Sequence, residues 1–556
     1  MRRSAATWPL AFALLASLAG CEPEHQVPEG DSHTNWLRTC DKDSECGPLS
    51  CVCGVCTAPC SADSSCGDAP GSTCLPADHA GVVAMCGGKP APVAGMCLPS
   101  CADVSCAAGQ ACVAGVCQPQ TAPGAQVSID TSAPAQRLTG FGATVGYAED
   151  QIAQFDEPAR LDDAMFAGLG LDVLRFRNRY GEVDDSGLAQ AAKIVADATT
   201  SLGRAPLVLL GSWSPPGYLK QNASTFCGTN AATCTLTKTA GGGFDYAGLA
   251  THWKNSLDAY ARVGFVPDYI GIQNNPDWTP SGGSVFEACK FLPTEGSVNL
   301  LVDGASVAVE YPGYKQALAA VRGVLTGLAS PPRLLAPDLS SIFGANDYLK
   351  QLDPTQIDAV AHHLYGTNPA NVDLGSLQTL ATLGGSMGVP LFQTEMQAGG
   401  FDTAVLIHHT LVEGGASMYL QTALVGPLSG PAVNPTALIG LEGDKIVLQD
   451  AYFSMSHFSR FTEPGWSRVG ASVTTPSLLA SAWLAPDQSA LTVVLINTAD
   501  QTEDASVDVN GQAFHAARLY RSVFGGSERF ADLGSWPLDG RVPLPPRSVA
   551  TVVFLP

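Results

Sequence analysis

"YIGIQNNPDW", residues 269–278, opens with a short β-rich run, 269–273, that stops in a polar pair, Asn274 and Asn275, and then a proline. Ahead of it, Leu249, Trp253, Leu257 and Tyr260 fall at i, i+4, i+8 and i+11, the spacing of one apolar helix face. A helix feeding a short buried strand that ends in polar residues is the unit of a parallel α/β architecture. The unit recurs on both sides. In order, the strand candidates are "GFGATV", "VLRFR", "LVLLGSW", "YIGIQ", "RLLAP", "AVAHHLY", "PLFQTE" and "SMYLQTAL". Eight alternations over about 300 residues suit a (β/α)8 TIM barrel, whose functional groups gather at the C-terminal strand ends.

The tail reads differently. "SALTVVLINTADQTEDASVDVNGQAFHAARLY" and "RSVATVVFLP" alternate apolar and polar residues around turn signals such as "NG", the pattern of antiparallel β structure. An attached antiparallel β-sandwich is expected over 461–556, beside a barrel at 127–460. The segment "QVSIDTSAPAQRLTGFG" before the first barrel strand is expected to lend the sandwich a strand.

The chain has 556 residues, with 46% hydrophobic and 14% charged residues, so several well-buried domains are expected. Its formal net charge of -22 argues against nucleic acid and anionic lipid headgroups as partners. At the start, "MRRSAATWPLAFALLASLAGC" shows two arginines, an apolar run too short to span a bilayer comfortably, and small residues before Cys21. That reads as an export signal over 1–20. "LAGC" resembles the bacterial lipobox, which would make Cys21 the lipidated first residue of a protein anchored at the cell envelope or surface, with plain secretion as the alternative.

Eighteen cysteines are spread unevenly, fourteen of them between residues 40 and 117. In an exported chain this implies a disulfide-rich small module over 21–117, serving as a spacer or an adhesion module. Its phrases "CDKDSECGPLSCVCGVC", "CSADSSCGDAPGSTC" and "CADVSCAAGQACVAGVC" look like degenerate copies of one unit; zinc binding through "CVCGVC" is the weaker reading. A Pro/Ala/Gly linker follows at 118–126. Cys227 and Cys234 sit close enough to staple one loop, and Cys289 is left over as a buried free thiol.

Polar residues at the barrel strand ends are the site candidates: Arg175 and Arg177 on the second strand, Trp213 after the third, Asn274 and Asn275 after the fourth, His363 and Tyr365 on the sixth, Glu395 on the seventh. Glu395 is the one carboxylate directly at the end of strands four and seven, and Arg175 is the natural group to keep it ionised. No metal, nucleotide or flavin motif is visible, so no metal and no cofactor are expected.

These stretches resemble glycoside hydrolase family 30, retaining barrel-plus-sandwich enzymes that include xylanases and glucosylceramidase relatives. The matching segments are "GFGATVG", "VLRFRNRYG", "GSWSPPGYLKQN", "DYIGIQNNPDW", "AHHLYG", "FQTEM" and "AYFSMSHFSRFTEPGWSRVG", in order across nearly all of 127–470. The resemblance implies Glu395 as nucleophile, Arg175 as its brace, Asn274 holding a substrate hydroxyl, and Trp213, His363 and Tyr365 around the sugar. It implies a polysaccharide or oligosaccharide substrate, xylan-like or β-glucan-like, and we expect a monomer. One position departs from the pattern: Asn275 stands where the acid/base Glu belongs, and an amide has no proton to give. Asp277 reads as structural, and Glu287 and Glu295 are carboxylates that no pattern positions. Activity is therefore expected to be impaired, the alternative being a catalytically disabled glycan-binding lipoprotein. The loop "PLSGPAVNPTALIGLEGDK" also lacks an arginine for reading glucuronic acid.

Cys21→Ser is expected to move the mature protein from membrane to soluble fractions, as checked by cell fractionation.

Overall fold

The computed structural model describes parts of residues 40–119 and, apart from 229–230, 282, 303–304, 431–432, 512 and 539, residues 124–556. The export signal and the lipidation expected at Cys21 lie outside the described residues. Among the described residues, no helix is long and apolar enough to cross a membrane. The chain divides into two compact units, Met1–Pro123 and Gly124–Pro556.

In the first unit, short antiparallel ribbons carry the cysteines. Ser50–Val52 pairs with Val55–Thr57, and Gln110–Val113 with Val116–Pro119, setting Cys51 opposite Cys56 and Cys112 opposite Cys117. The paired residues of "CVCGVC" and "CVAGVC" thus share one register, as their likeness implied. Disulfides join Cys40–Cys51, Cys46–Cys56, Cys53–Cys86, Cys60–Cys74 and Cys66–Cys97, and Cys101 and Cys117 are disulfide-bonded as well. Sulfurs paired in this way are not thiolates, so the zinc reading of "CVCGVC" gives way to the disulfide framework. The apolar cluster beside them is small, built on Val52, Val55, Val82, Met96 and Leu98. A core of that size leans on covalent crosslinks.

The second unit holds the barrel. Its strands are Gly140–Gly146, Val173–Arg177, Leu207–Gly211, Tyr269–Gly271, Arg333–Leu339, Ala359–His363, Leu391–Glu395 and Met418–Thr422, closed and parallel throughout. Each coincides with a strand candidate in the sequence. The strands are buried on both faces, which is why they read as apolar runs. Side chains such as Val173, Leu209, Tyr269, Phe392 and Met418 fill the interior, while a larger cluster packs between strands and helices. The helix Tyr246–Arg262 contributes to that cluster with Leu249, Trp253, Leu257 and Tyr260, all buried. Gly142 has to be glycine: a Cβ there would lie 2.1 Å from the Val173 carbonyl oxygen.

The sandwich wraps one apolar core that includes Val127, Ile129, Val493, Leu495, Leu519 and Val552. Ser467–Val473 crosses between its layers. Residues 467–469 pair with Leu478–Leu484, and 470–473 with Ala125–Asp130. Ala125–Asp130 also pairs with Glu503–Asn510, and this pair is parallel. It departs from the antiparallel pattern because the strand arrives from the other end of the domain instead of through a hairpin. The helix Asp450–Ser459 links sandwich and barrel: Phe458 meets Phe141 of the first barrel strand, and the two His457 ring nitrogens pair with the Thr551 and Ser522 hydroxyls, each at 2.9 Å.

Burial pushes the His457 ring down to about 3, against about 6.5 in an unfolded chain. With the folded value depressed, the unfolded chain takes up the proton first, so this contribution to stability is whole above about 6.5 and shrinks as pH falls toward 3. His457→Gln is expected to flatten the acid-side fall of the urea-unfolding free energy while lowering stability at neutral pH.

Candidate active site

Strand ends converge on one guanidinium. Arg175 is 1% exposed. Its Nη1 donates to Glu395 Oε2 at 2.6 Å, and its Nη2 to Asn274 Oδ1 at 2.7 Å and to Asp338 Oδ2 at 2.8 Å. The guanidinium carbon lies 4.6 Å from the Trp213 ring centroid, a cation–π contact. The other Glu395 oxygen, Oε1, accepts from the Tyr365 hydroxyl at 2.9 Å. Burial, and next the charge of Glu395, push that phenol far above its ordinary value, so it stays a neutral donor.

Irregularities in two strands aim the carboxylates. On the fifth strand Pro337 opposes Ala361 and Leu339 opposes His362, which leaves Asp338 as an extra residue with φ +61°. On the seventh, Gln393 opposes His362 and Glu395 opposes His363, which leaves Thr394 extra. Bulges of this kind re-aim side chains at barrel rims. They bring Asp338, Thr394 and Glu395 to the same place: the Thr394 hydroxyl donates to Asp338 Oδ1 at 2.6 Å, and His363 Nε2 lies 3.2 Å from the same oxygen. Gly271 leaves the room needed, since a Cβ there would sit 3.1 Å from Asp338 Oδ2. Burial alone would raise the Asp338 carboxyl, but Arg175, His363 and Thr394 hold it well below the usual carboxylate range, and it stays ionised.

Above this floor opens a cavity of about 880 Å³. Trp213, Asn275, Tyr365 and Glu395 line it; Arg175, Asn274 and His363 lie beneath. His363 is fully buried and lies against Tyr365, which lines the cavity. The wall is rich in rings, with Trp278 against Phe286 at 6.0 Å and Tyr147 against Trp213 at 6.3 Å. Asn275 has φ +49°, donates its backbone N–H to the Asp338 carbonyl at 3.0 Å, and keeps a buried Oδ1 without a partner.

The nearby carboxylates sort themselves by partner. Both Asp277 oxygens are taken by Ser340, from its N–H at 2.8 Å and its hydroxyl at 2.7 Å. Glu295 accepts from Tyr246 at 2.8 Å and is not in the cavity wall. Glu287 is in the wall, held by Arg177 Nη1 at 2.9 Å and by the Tyr147 hydroxyl. It lies on Phe286–Glu287, a two-residue strand paired with Phe226–Cys227. The expected disulfide, Cys227–Cys234, packs against Ala288 and Trp278 beside it, and buried Lys220 donates to the Ala288 and Thr225 carbonyls. Cys289 is a buried free thiol, pushed up to about 12 by burial.

Sequence reasoning passed over Asp338, Thr394 and Tyr147. A carboxylate directly after "RLLAP" was the available signal for Asp338, masked by a proline that reads as a stop.

Arg175→Met would leave Asp338 and Glu395 as buried carboxylates without their cation. It is expected to cost about 3–5 kcal/mol of unfolding free energy, the scale for removing one partner of a buried ion pair, measured by urea denaturation.

No family model matches the chain. Glucuronoxylanase XynC of Bacillus subtilis is 23% identical over 452 residues, covering 76% of this chain and 90% of that protein. Xyn30A, a family 30 subfamily 8 xylanase from Clostridium acetobutylicum, superposes with a TM-score of 0.59 at 20% identity, over 78% of this chain and all of its own. The endo-β1,6-glucanase BT3312 superposes with a TM-score of 0.55 at 13% identity, over 78% of this chain and 94% of its own. The chain has the fold of glycoside hydrolase family 30 xylanases.

Proposed function

We propose that the protein is a retaining β-glycosidase of the family 30 type, acting on a β-linked glycan, with Glu395 as nucleophile. The observation that carries this reading is the clamp on Glu395: a guanidinium on one oxygen and a phenol on the other, at the base of a ring-lined cavity. A carboxylate so held is oriented, as attack on an anomeric carbon requires. Trp213, Trp278 and Phe286 offer faces for sugar rings. Asn274 spends its Oδ1 on Arg175, which leaves its amide N–H groups for a substrate hydroxyl.

The glycan is a neutral one, xylan-like or β-glucan-like. Among the described residues, no cationic side chain lines the cavity to receive an acidic sugar. Residues 1–21 support an exported lipoprotein held at the cell envelope through Cys21, with the cysteine-rich unit as spacer or adhesion module.

Asn275 stands at the acid/base position and supports reduced activity on sugar leaving groups. It also favours the second reading, a disabled barrel that binds glycan at the cell surface, because an amide in the cavity wall has no proton to transfer. Glu395→Gln is expected to abolish release of dinitrophenol from activated aryl β-xylosides and β-glucosides that the wild type cleaves. If the wild type cleaves none of them yet binds xylo- or gluco-oligosaccharides by calorimetry, the binder reading replaces the hydrolase.

A further inference from the structure

We propose that Glu287 supplies the proton that Asn275 cannot, acting as general acid and then as general base opposite Glu395. This deepens the hydrolase reading and rests on it.

Position and elimination support it first. Among the described residues, Glu287 and Glu395 are the carboxylates of the cavity wall, and Asn275 lines the same cavity. Asp277 is consumed by Ser340, and Glu295 lies elsewhere. The Tyr147 hydroxyl that donates to Glu287 is near enough to Glu395 for that carboxylate to act on its ionisation. Tyr147 lines the same cavity as both carboxyl groups.

A second line of support is the mounting. A catalytic acid needs a fixed position, and Glu287 has one although it lies in a loop. Its strand pairs with Phe226–Cys227, the Cys227–Cys234 disulfide staples the partner loop, and Lys220 ties Ala288 to Thr225.

The ion pair must also allow protonation. A carboxylate locked to one arginine is a poor acid, because protonation orphans the cation. Arg177 has a second partner, Glu182, at 2.8 Å, against 2.9 Å to Glu287. When Glu287 takes a proton, the guanidinium remains paired. The Glu287 side chain is 5% exposed, and burial raises its carboxyl above the ordinary glutamate value in spite of Arg177 and Tyr147. That is the direction a general acid at near-neutral pH requires.

The chemistry balances. In the first step a Glu395 oxygen bonds to the anomeric carbon, the glycosidic C–O bond breaks with its electron pair on the leaving oxygen, and the Glu287 proton passes to that oxygen. In the second, Glu287 takes a proton from water as the water oxygen bonds to the anomeric carbon and the ester to Glu395 breaks. The sum is addition of one water across the glycosidic bond.

The test compares wild type, Glu287→Gln and Glu395→Gln on dinitrophenyl and unsubstituted phenyl β-xylosides and β-glucosides, with thermal unfolding as a check on folding. Glu287→Gln is expected to slow the phenyl glycosides by about 10²–10⁴-fold, the usual worth of a positioned acid. The dinitrophenyl glycosides, which need little protonation, should show a burst and then slow turnover. Azide, which needs no base, should accelerate that turnover and yield a β-glycosyl azide. Asn275→Glu placed in the Glu287→Gln background should restore phenyl glycoside cleavage. Should Glu287→Gln fail to fold, Glu287→Asp keeps the charge on Arg177 and should show the same leaving-group dependence. If the Glu287 variants match wild type on phenyl glycosides with an unchanged pH profile, while Glu395→Gln is dead, the proposal is wrong and the hydrolase stands. If wild type turns over no aryl glycoside at all, both fall.

Discussion

The cavity depends on one buried guanidinium. Arg175 contacts two carboxylates, an amide and an indole, and the buried carboxylates depend on it for a counter-charge. Taking charges out of water costs several kcal/mol each, and only dense mutual hydrogen bonding offsets it. Asp338 is accordingly held by Arg175, Thr394 and His363, and Glu395 by Arg175 and Tyr365. Two carboxylates share one arginine, and Glu395 is the one of the pair that lines the cavity.

Regular strands would not deliver this. With strict alternation Asp338 and Glu395, each three residues beyond the interior side chains Leu335 and Phe392, would face the helices instead. The extra residues on strands five and seven break the alternation where the barrel meets the cavity. The left-handed backbone at Asp338 and Asn275, which Asp and Asn tolerate better than most residues, belongs to the same rim. The barrel supplies rigidity and the irregular ends supply aim.

Legibility in the sequence divided along the same line. All eight barrel strands could be read, because parallel strands buried on both faces are continuous apolar runs with polar ends. The helix before strand four could be read from its apolar spacing, and Arg175, Asn274, Tyr365 and Glu395 from their places at strand ends. Asp338 could not, since Pro337 reads as a terminator and hydrophobic patterning carries no trace of a bulge. Tyr147 sits in a loop, where no periodicity applies. Glu287 was visible as a carboxylate, but its position depends on a pairing between dipeptides sixty residues apart in the chain, Phe226–Cys227 and Phe286–Glu287. The parallel pair in the sandwich was hidden for a related reason, being set by topology and not by composition.

The Cys227–Cys234 bridge is small, closing a loop of seven residues' separation, and contributes little to the barrel's own core. Its weight falls on the cavity wall. A chain folded in a reducing compartment would still close its eight strands around Val173, Leu209 and Phe392. It would leave the segment bearing Phe286 and Glu287 without the staple on its pairing partner Phe226–Cys227. Barrel and wall therefore answer to different environments: water suffices to assemble the first, and an oxidant is needed to finish the second.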